Sequence, residues 1–126
     1  MLMHLVPAPL LLTGSDPDLF WESSIQALAR GDYLSKAEEG IKGSGYVVEC
    51  LEAALWCFWT TDSFESAILK AANLGDDADT TAAVCGQLAG AFYGEEGIPP
   101  GWLDLLYMRD EIKSLAERLY RHTPPL

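Results

Sequence analysis

The chain has 126 residues, about half of them hydrophobic, and nineteen acidic side chains against eight basic ones give a formal net charge of −11. That length holds one domain, residues 1–126, with a modest core and not two. The charge repels nucleic acid and anionic membrane surfaces, so neither is an expected partner. A phosphate-bearing ligand would need a local positive device, either a metal ion or a helix N-terminus.

At the N-terminus, MLMHLVPAPLLL is apolar but has no basic flank and is interrupted by Pro7 and Pro9. It is not expected to be a signal peptide, and no apolar run reaches the ~18 residues of a membrane helix. The expected location is cytoplasmic. Cys50, Cys57 and Cys85 each sit in an apolar run without CxxC or Cys/His spacing, which points to buried reduced thiols rather than zinc ligands.

Almost every segment reads as helix. Ser15 or Asp16 can cap a first helix with Pro17 at its first position, and Gly31 ends it beyond Ala29. A charged turn follows around Tyr33 to Glu39, closed by Gly40, Gly43 and Gly45. Tyr46 to Trp59 (YVVECLEAALWCFW) repeats Val48, Leu51, Leu55 and Phe58 at helical spacing, and fourteen residues are too many for one strand. Asp62 and Glu65 suggest a capping box before SFESAILKAANL, which Gly75 would close. Ala82, Gly86, Ala89, Gly90 and Tyr93 then give the next helix a small-residue face for close packing. After a proline-rich loop from Glu95 to Gly101, a last helix from Arg109 to Arg121 should pair Asp110 with Lys113 and bury Ile112, Leu115, Ala116 and Leu119. The expected fold is all-α.

The densest chemistry lies in GDDADTT, where Asp76, Asp77, Asp79, Thr80 and Thr81 crowd the start of the small-residue helix. With a helix beginning near Asp77, Asp76 and Asp79 are three apart, as are Asp77 and Thr80, so carboxylates and a hydroxyl can converge. Such oxygens suit Mg²⁺, Mn²⁺ or Ca²⁺. The alternative is that the acids only cap the helix and oppose its dipole. Composition leaves both open, although three neighbouring carboxylates in an acidic chain repel one another without a cation. An EF-hand is excluded, because counting from Asp77 places Ala82 and Leu88 where Gly and Glu are required. DADTT also fits the DxDxT nucleophile motif of haloacid-dehalogenase-type phosphatases. That motif follows a buried strand, whereas AILKAANLGD reads as a helix ending in glycine.

From Gly43 onward the chain resembles the ADP-ribosylglycohydrolase family, which includes the dinitrogenase-reductase-activating glycohydrolases. The matching stretches are SGYVVECLEAALWCF, TTDSFESAILKAANLGDDADTTAAVCGQLAGAFYG and IPPGW, and LMHLVPAPLLL is similar to the family's LMRLAPVPL element. The resemblance implies an all-α hydrolase that uses two Mg²⁺ or Mn²⁺ ions to cleave the glycosidic bond joining ADP-ribose to a protein side chain. By similarity, Asp77, Asp79 and Thr80 match the family's C-terminal metal-ligand motif. Ser44, Gly45, Tyr46 and Val47 match its ligand-lining segment, with Gly75 and Asp76 beside the diphosphate or ribose.

The resemblance also implies what the chain lacks. The family's N-terminal Thr-Asp-Asp triplet and early carboxylate, which complete the metals and assist the attacking water, find no match, so the domain reads as truncated to its C-terminal half. TTDS at Thr60 to Ser63 reads more simply as a helix cap. His4 and His122 have no carboxylate or nucleophile arranged around them, and no general base or other catalytic residue is assigned. Two functions follow: a hydrolase when the missing half-site is supplied, or an inactive helical module. Helices missing from the fold would uncover apolar surface, for which a homodimer is the expected remedy.

Overall fold

A computed structural model describes residues 23–122, and among these every regular element is helical. The order is α1 (Ser23–Arg30), two short 3-10 turns (Asp32–Ser35 and Glu38–Gly40), α2 (Val47–Trp59), α3 (Phe64–Asn73), α4 (Ala78–Tyr93), a 3-10 turn (Glu95–Gly97), α5 (Pro100–Leu105) and α6 (Arg109–His122). The residues expected to start the first helix, Ser15 to Pro17, and His4 lie outside the described residues. Its end is as expected: Gly31 takes a left-handed φ of 77° and stops α1.

The core is a three-helix unit of α2, α3 and α4. Its centre is built from small side chains, because only these let helix backbones approach closely. Ala53, Ala54 and Cys57 of α2, Ala67 and Ala71 of α3, and Thr81, Cys85 and Ala89 of α4 are all completely buried. The inner seam of α4 is therefore Thr81–Cys85–Ala89: of the expected face, Ala89 lies in it, Ala82 and Tyr93 are partly buried against the core, and Gly86 and Gly90 stand to one side. Methyls added to these two glycines would meet Ile68 Cδ1 at 3.5 Å and Phe64 Cε2 at 3.9 Å, which is ordinary contact. Thr81 brings a hydroxyl into this seam and directs it at Cys50 Sγ, 3.9 Å away. At the far end, Phe58 meets Trp59, Phe92 and Tyr93 edge-on.

Long side chains tie the outer layers to this unit. Lys70 of α3 lies 3.9 Å over the Trp56 ring of α2 and donates to Thr60 Oγ1 at 2.8 Å. The Trp56 indole donates to the carbonyl of Lys36, whose ammonium pairs with Glu52. Tyr33 and Leu28 fill the space between α1 and α2.

Three further expectations need correction. The cap of α3 is Ser63, not Asp62: Ser63 Oγ accepts from the Ser66 amide at 3.1 Å and the Ser66 hydroxyl returns the bond. A serine closes the box as well as a glutamate, because only a short oxygen at that position is needed. Second, α6 buries nothing. Ile112, Leu115 and Leu119 are 48%, 54% and 71% exposed, and Lys113 pairs with Glu95 at 3.0 Å rather than with Asp110. Part of the expected proline-rich loop is helical, since Pro100 opens α5 at a position where a missing N–H costs nothing.

All three cysteines are free and buried. Burial pushes the Cys57 thiol up to about 12, with the neighbouring Cys85 adding to it, and pushes Cys85 up to about 11 and the Tyr33 phenol up to about 12. Each group is neutral when folded and ionises more readily when unfolded. Its contribution is complete below its ordinary pKa and is lost as pH rises towards the folded value. The urea midpoint should hold near neutrality and fall steadily above about pH 9. A midpoint unchanged between neutral and strongly alkaline buffer would contradict this burial.

Candidate functional site

The acid cluster is shaped by a sharp reversal between α3 and α4. Gly75 and Asp76 both take left-handed backbone conformations, with φ of 77° and 58°. Glycine does so freely, and aspartate is among the few other residues that tolerate it. The reversal delivers Asp77 to the N-cap position of α4.

A second loop meets it. The Asp77 amide donates to the Gly43 carbonyl at 2.8 Å, joining the segment before α2 to the start of α4. A methyl on Gly43 would lie 3.1 Å from the Gly75 carbonyl, and one on Gly45 would lie 3.1 Å from Asp77 Oδ2. Both approaches are tighter than a Cβ ordinarily makes, against fixed backbone at Gly43 and against a carboxylate at Gly45. The fold thus brings Gly43 and Gly45 against Gly75 and Asp77, with Ser44 between the two glycines and Tyr46 and Val47 next along the chain, although thirty positions separate Gly45 from Gly75.

Asp77 occupies the N-cap position, yet its side chain caps nothing. It accepts instead from the Thr80 hydroxyl, Oγ1 to Oδ1, at 2.8 Å. Asp79 is exposed beside it. Its carboxyl is held below the usual range first by the hydrogen bond shared with the Asp77 side chain, then by the amides of Thr80 and of Asp79 itself. Asp79 therefore does part of the capping while Asp77 is free of it. Two carboxylates and a hydroxyl share one small region, a hard-oxygen donor set suited to Mg²⁺ or Mn²⁺. Among the described residues no three His, Cys, Asp or Glu side chains gather into a metal-holding group, so Asp76 is not a third carboxylate of this set.

On the other loop, the Ser44 hydroxyl donates to Glu49 and accepts from the Tyr46 amide at 3.2 Å. Tyr46 and Val47 are 55% and 71% exposed, which leaves an apolar edge on this loop. Tyr46 also borders a cleft of about 390 Å³ whose other walls include Lys36, Lys42, Glu49 and Glu52. Asp77, Asp79 and Thr80 are not among its walls. Gly43 and Glu49 are the residues the sequence reading missed. The alternating Gly43 and Gly45, and an acid three positions beyond Tyr46, were the available signals.

A comparison with known proteins bears on this arrangement. The model of the family described as ADP-ribosylglycohydrolase matches residues 2–125. The chain belongs to the ADP-ribosylglycohydrolase family. It is 53% identical over 94 residues to the ADP-ribosylarginine hydrolase Tri1 of Serratia proteamaculans (strain 568), covering 75% of this chain and 26% of that protein. With the ADP-ribosylarginine hydrolase Tri1 of Pseudomonas putida (strain GB-1) it shares 43% over 122 residues, covering 91% of this chain and 33% of that protein. With the ADP-ribosyl-(dinitrogen reductase) glycohydrolase of Rhodospirillum rubrum it shares 44% over 70 residues, 56% of this chain and 24% of that protein. The chain thus spans about a quarter to a third of the length of the curated relatives it matches. Among the described residues, no helix of this ADP-ribosylglycohydrolase family member is long and apolar enough to cross a membrane.

Proposed function

We propose that this chain supplies the C-terminal half of a Mg²⁺- or Mn²⁺-dependent site that hydrolyses the glycosidic bond between ADP-ribose and a protein side chain, and that it works as a homodimer. Asp77, Asp79 and Thr80 would hold the ion. Ser44, Gly45, Tyr46 and Val47, with Gly75 and Asp76, would line the ADP-ribose. The observation that carries this reading is the Asp77 carboxylate, which sits at a helix N-cap without capping it and meets Thr80 and Asp79 instead.

When bound, the ion supplies positive charge against the diphosphate and makes water easier to ionise. The chain's own residues do the positioning. Thr80 orients one Asp77 oxygen, and the Gly43 carbonyl fixes the Asp77 backbone. Glu49 holds Ser44, and with it the loop that presents Tyr46. Tyr46 offers a flat apolar face for the ribose. Two carboxylates and a hydroxyl fill about half of an octahedral shell, so turnover depends on ligands and a general base from elsewhere. That donor count favours a second reading, a helical module that binds ADP-ribose or the ion without hydrolysis.

Calorimetric titration with Mg²⁺ and Mn²⁺, with and without ADP-ribose, separates these readings when run beside a hydrolysis assay on ADP-ribosylated arginine. Metal-dependent release of ADP-ribose supports the hydrolase, and binding without release supports the module. Absence of both overturns the site.

A further inference from the structure

We infer that Glu49 is a positioning residue for the Asp77 carboxylate: from the first turn of α2 it grips one edge of segment 42–46 and so seats the other edge against the acid loop. The inference deepens the reading above and rests on it for the ion, not for the grip itself.

Segment 42–46 runs from the extended Ile41 to the extended Tyr46, and successive residues of extended chain face opposite ways. Lys42 and Ser44 turn to Glu49. The Lys42 ammonium lies 3.9 Å from Oε1, and the Ser44 hydroxyl donates to Oε2. Gly43 and Gly45 turn the other way. The Gly43 carbonyl accepts the Asp77 amide at 2.8 Å, and Gly45 stands so close that a Cβ on it would be 3.1 Å from Asp77 Oδ2. One carboxylate thus holds the back of the segment whose front meets another.

Both ends of this bridge are anchored. Glu49 precedes Cys50, which is buried and whose Sγ lies 3.9 Å from the Thr81 hydroxyl of α4. The Thr81 amide in turn donates to the Asp77 carbonyl at 3.1 Å. These contacts close a ring through Asp77, Gly43, Ser44, Glu49, Cys50 and Thr81. The two acids are tied through the helix core on one path and through segment 42–46 on the other.

Helix capping alone does not account for Glu49. In a capping box, an acid at this third helical position accepts the N-cap amide directly. Here the Tyr46 amide donates to Ser44 Oγ at 3.2 Å, and the Ser44 hydroxyl donates to Glu49. The acid therefore holds the inserted serine, between the two glycines that touch the acid loop, through a bond that its charge strengthens.

Amide hydrogen exchange on the isotope-labelled full chain tests the grip without any ion. Glu49→Ala should speed exchange of the Asp77 amide about tenfold or more, since a bond to a charged group is lost, while the core amides of Ala54 and Cys85 keep their rates. Ser44→Ala should match it, and the double variant should be no faster than either, because both changes break one link. Glu49→Gln, which keeps an acceptor oxygen for Ser44, should stay near the wild type. Calorimetric Mg²⁺ affinity should follow the same order, falling about 10- to 100-fold in Glu49→Ala. An Asp77 amide unmoved by Glu49→Ala, additive effects in the double variant, or Asp77 and core amides quickened together overturn the inference. So does an unchanged Mg²⁺ affinity once the amide is freed. A wild type that takes up no Mg²⁺ overturns the proposed function instead, and the exchange rates still decide the grip.

Discussion

Replacing Asp77 by alanine should reduce Mg²⁺ affinity by at least ~100-fold, since even residues that only orient metal ligands cost about 10- to 100-fold when removed. The same variant should keep its folding stability. Asp77 makes no side-chain cap to α4, and its backbone bond to Gly43 does not involve the carboxylate. A capping aspartate behaves in the opposite way, costing about 0.5–2 kcal/mol on mutation to alanine. Paired measurements of calorimetric Mg²⁺ affinity and urea midpoint therefore discriminate the two roles. Stability loss with unchanged affinity would assign Asp77 to the helix and remove it from the metal. Thr80→Val belongs beside it as a milder case, because a neutral hydroxyl is the weaker ligand and its removal also frees an Asp77 oxygen.

The largest effect on stability is expected at Phe58→Ala, about 3–5 kcal/mol. Phe58 is 4% exposed and stands at the centre of an aromatic cluster, with ring centroids 5.5 Å from Trp59, 5.6 Å from Phe92 and 6.4 Å from Tyr93, all edge-on. Truncation removes the apolar area, the edge-to-face contacts and the filling of the space between α2 and the end of α4. The neighbouring helices cannot collapse into that space, because their Ala and Cys seam already holds the backbones in contact. Set against a typical total of ~5–15 kcal/mol for a domain, this brings the chain close to unfolding at ambient temperature. Phe92→Ala makes the contrast, since Phe92 is half exposed and should lose far less. Equal losses at the two positions in urea melts would mean that the cluster is not centred on Phe58.

The helices of the core were legible because their apolar spacing is regular: Val48, Leu51, Leu55 and Phe58 describe one face of α2, and the structure buries or half-buries all four. The candidate site was legible in part. GDDADTT announces itself by composition, and the Asp77–Thr80 pair follows from helical spacing. The bond from the Asp77 amide to Gly43 was not, since no local pattern reveals which distant carbonyl an N–H will reach. Close packing also chooses among small residues by fractions of a turn, which is why α4 turns Cys85 inward where Gly86 was expected. α6 illustrates a different boundary. Amphipathic spacing shows that a helix has a face to bury, and it is silent on whether the cover belongs to the same chain.

The cross-loop bond has a further consequence for the order in which the molecule assembles. α3, the reversal and α4 are contiguous and can form early as a hairpin, because their contacts are local. The loop carrying the carboxylates reaches its final shape only when the Gly43 segment arrives and accepts the Asp77 amide. An excised α3–α4 peptide would be able to build the hairpin while leaving the Asp77 amide without its Gly43 partner, and the proposed cation affinity would then be one of the last properties gained on refolding.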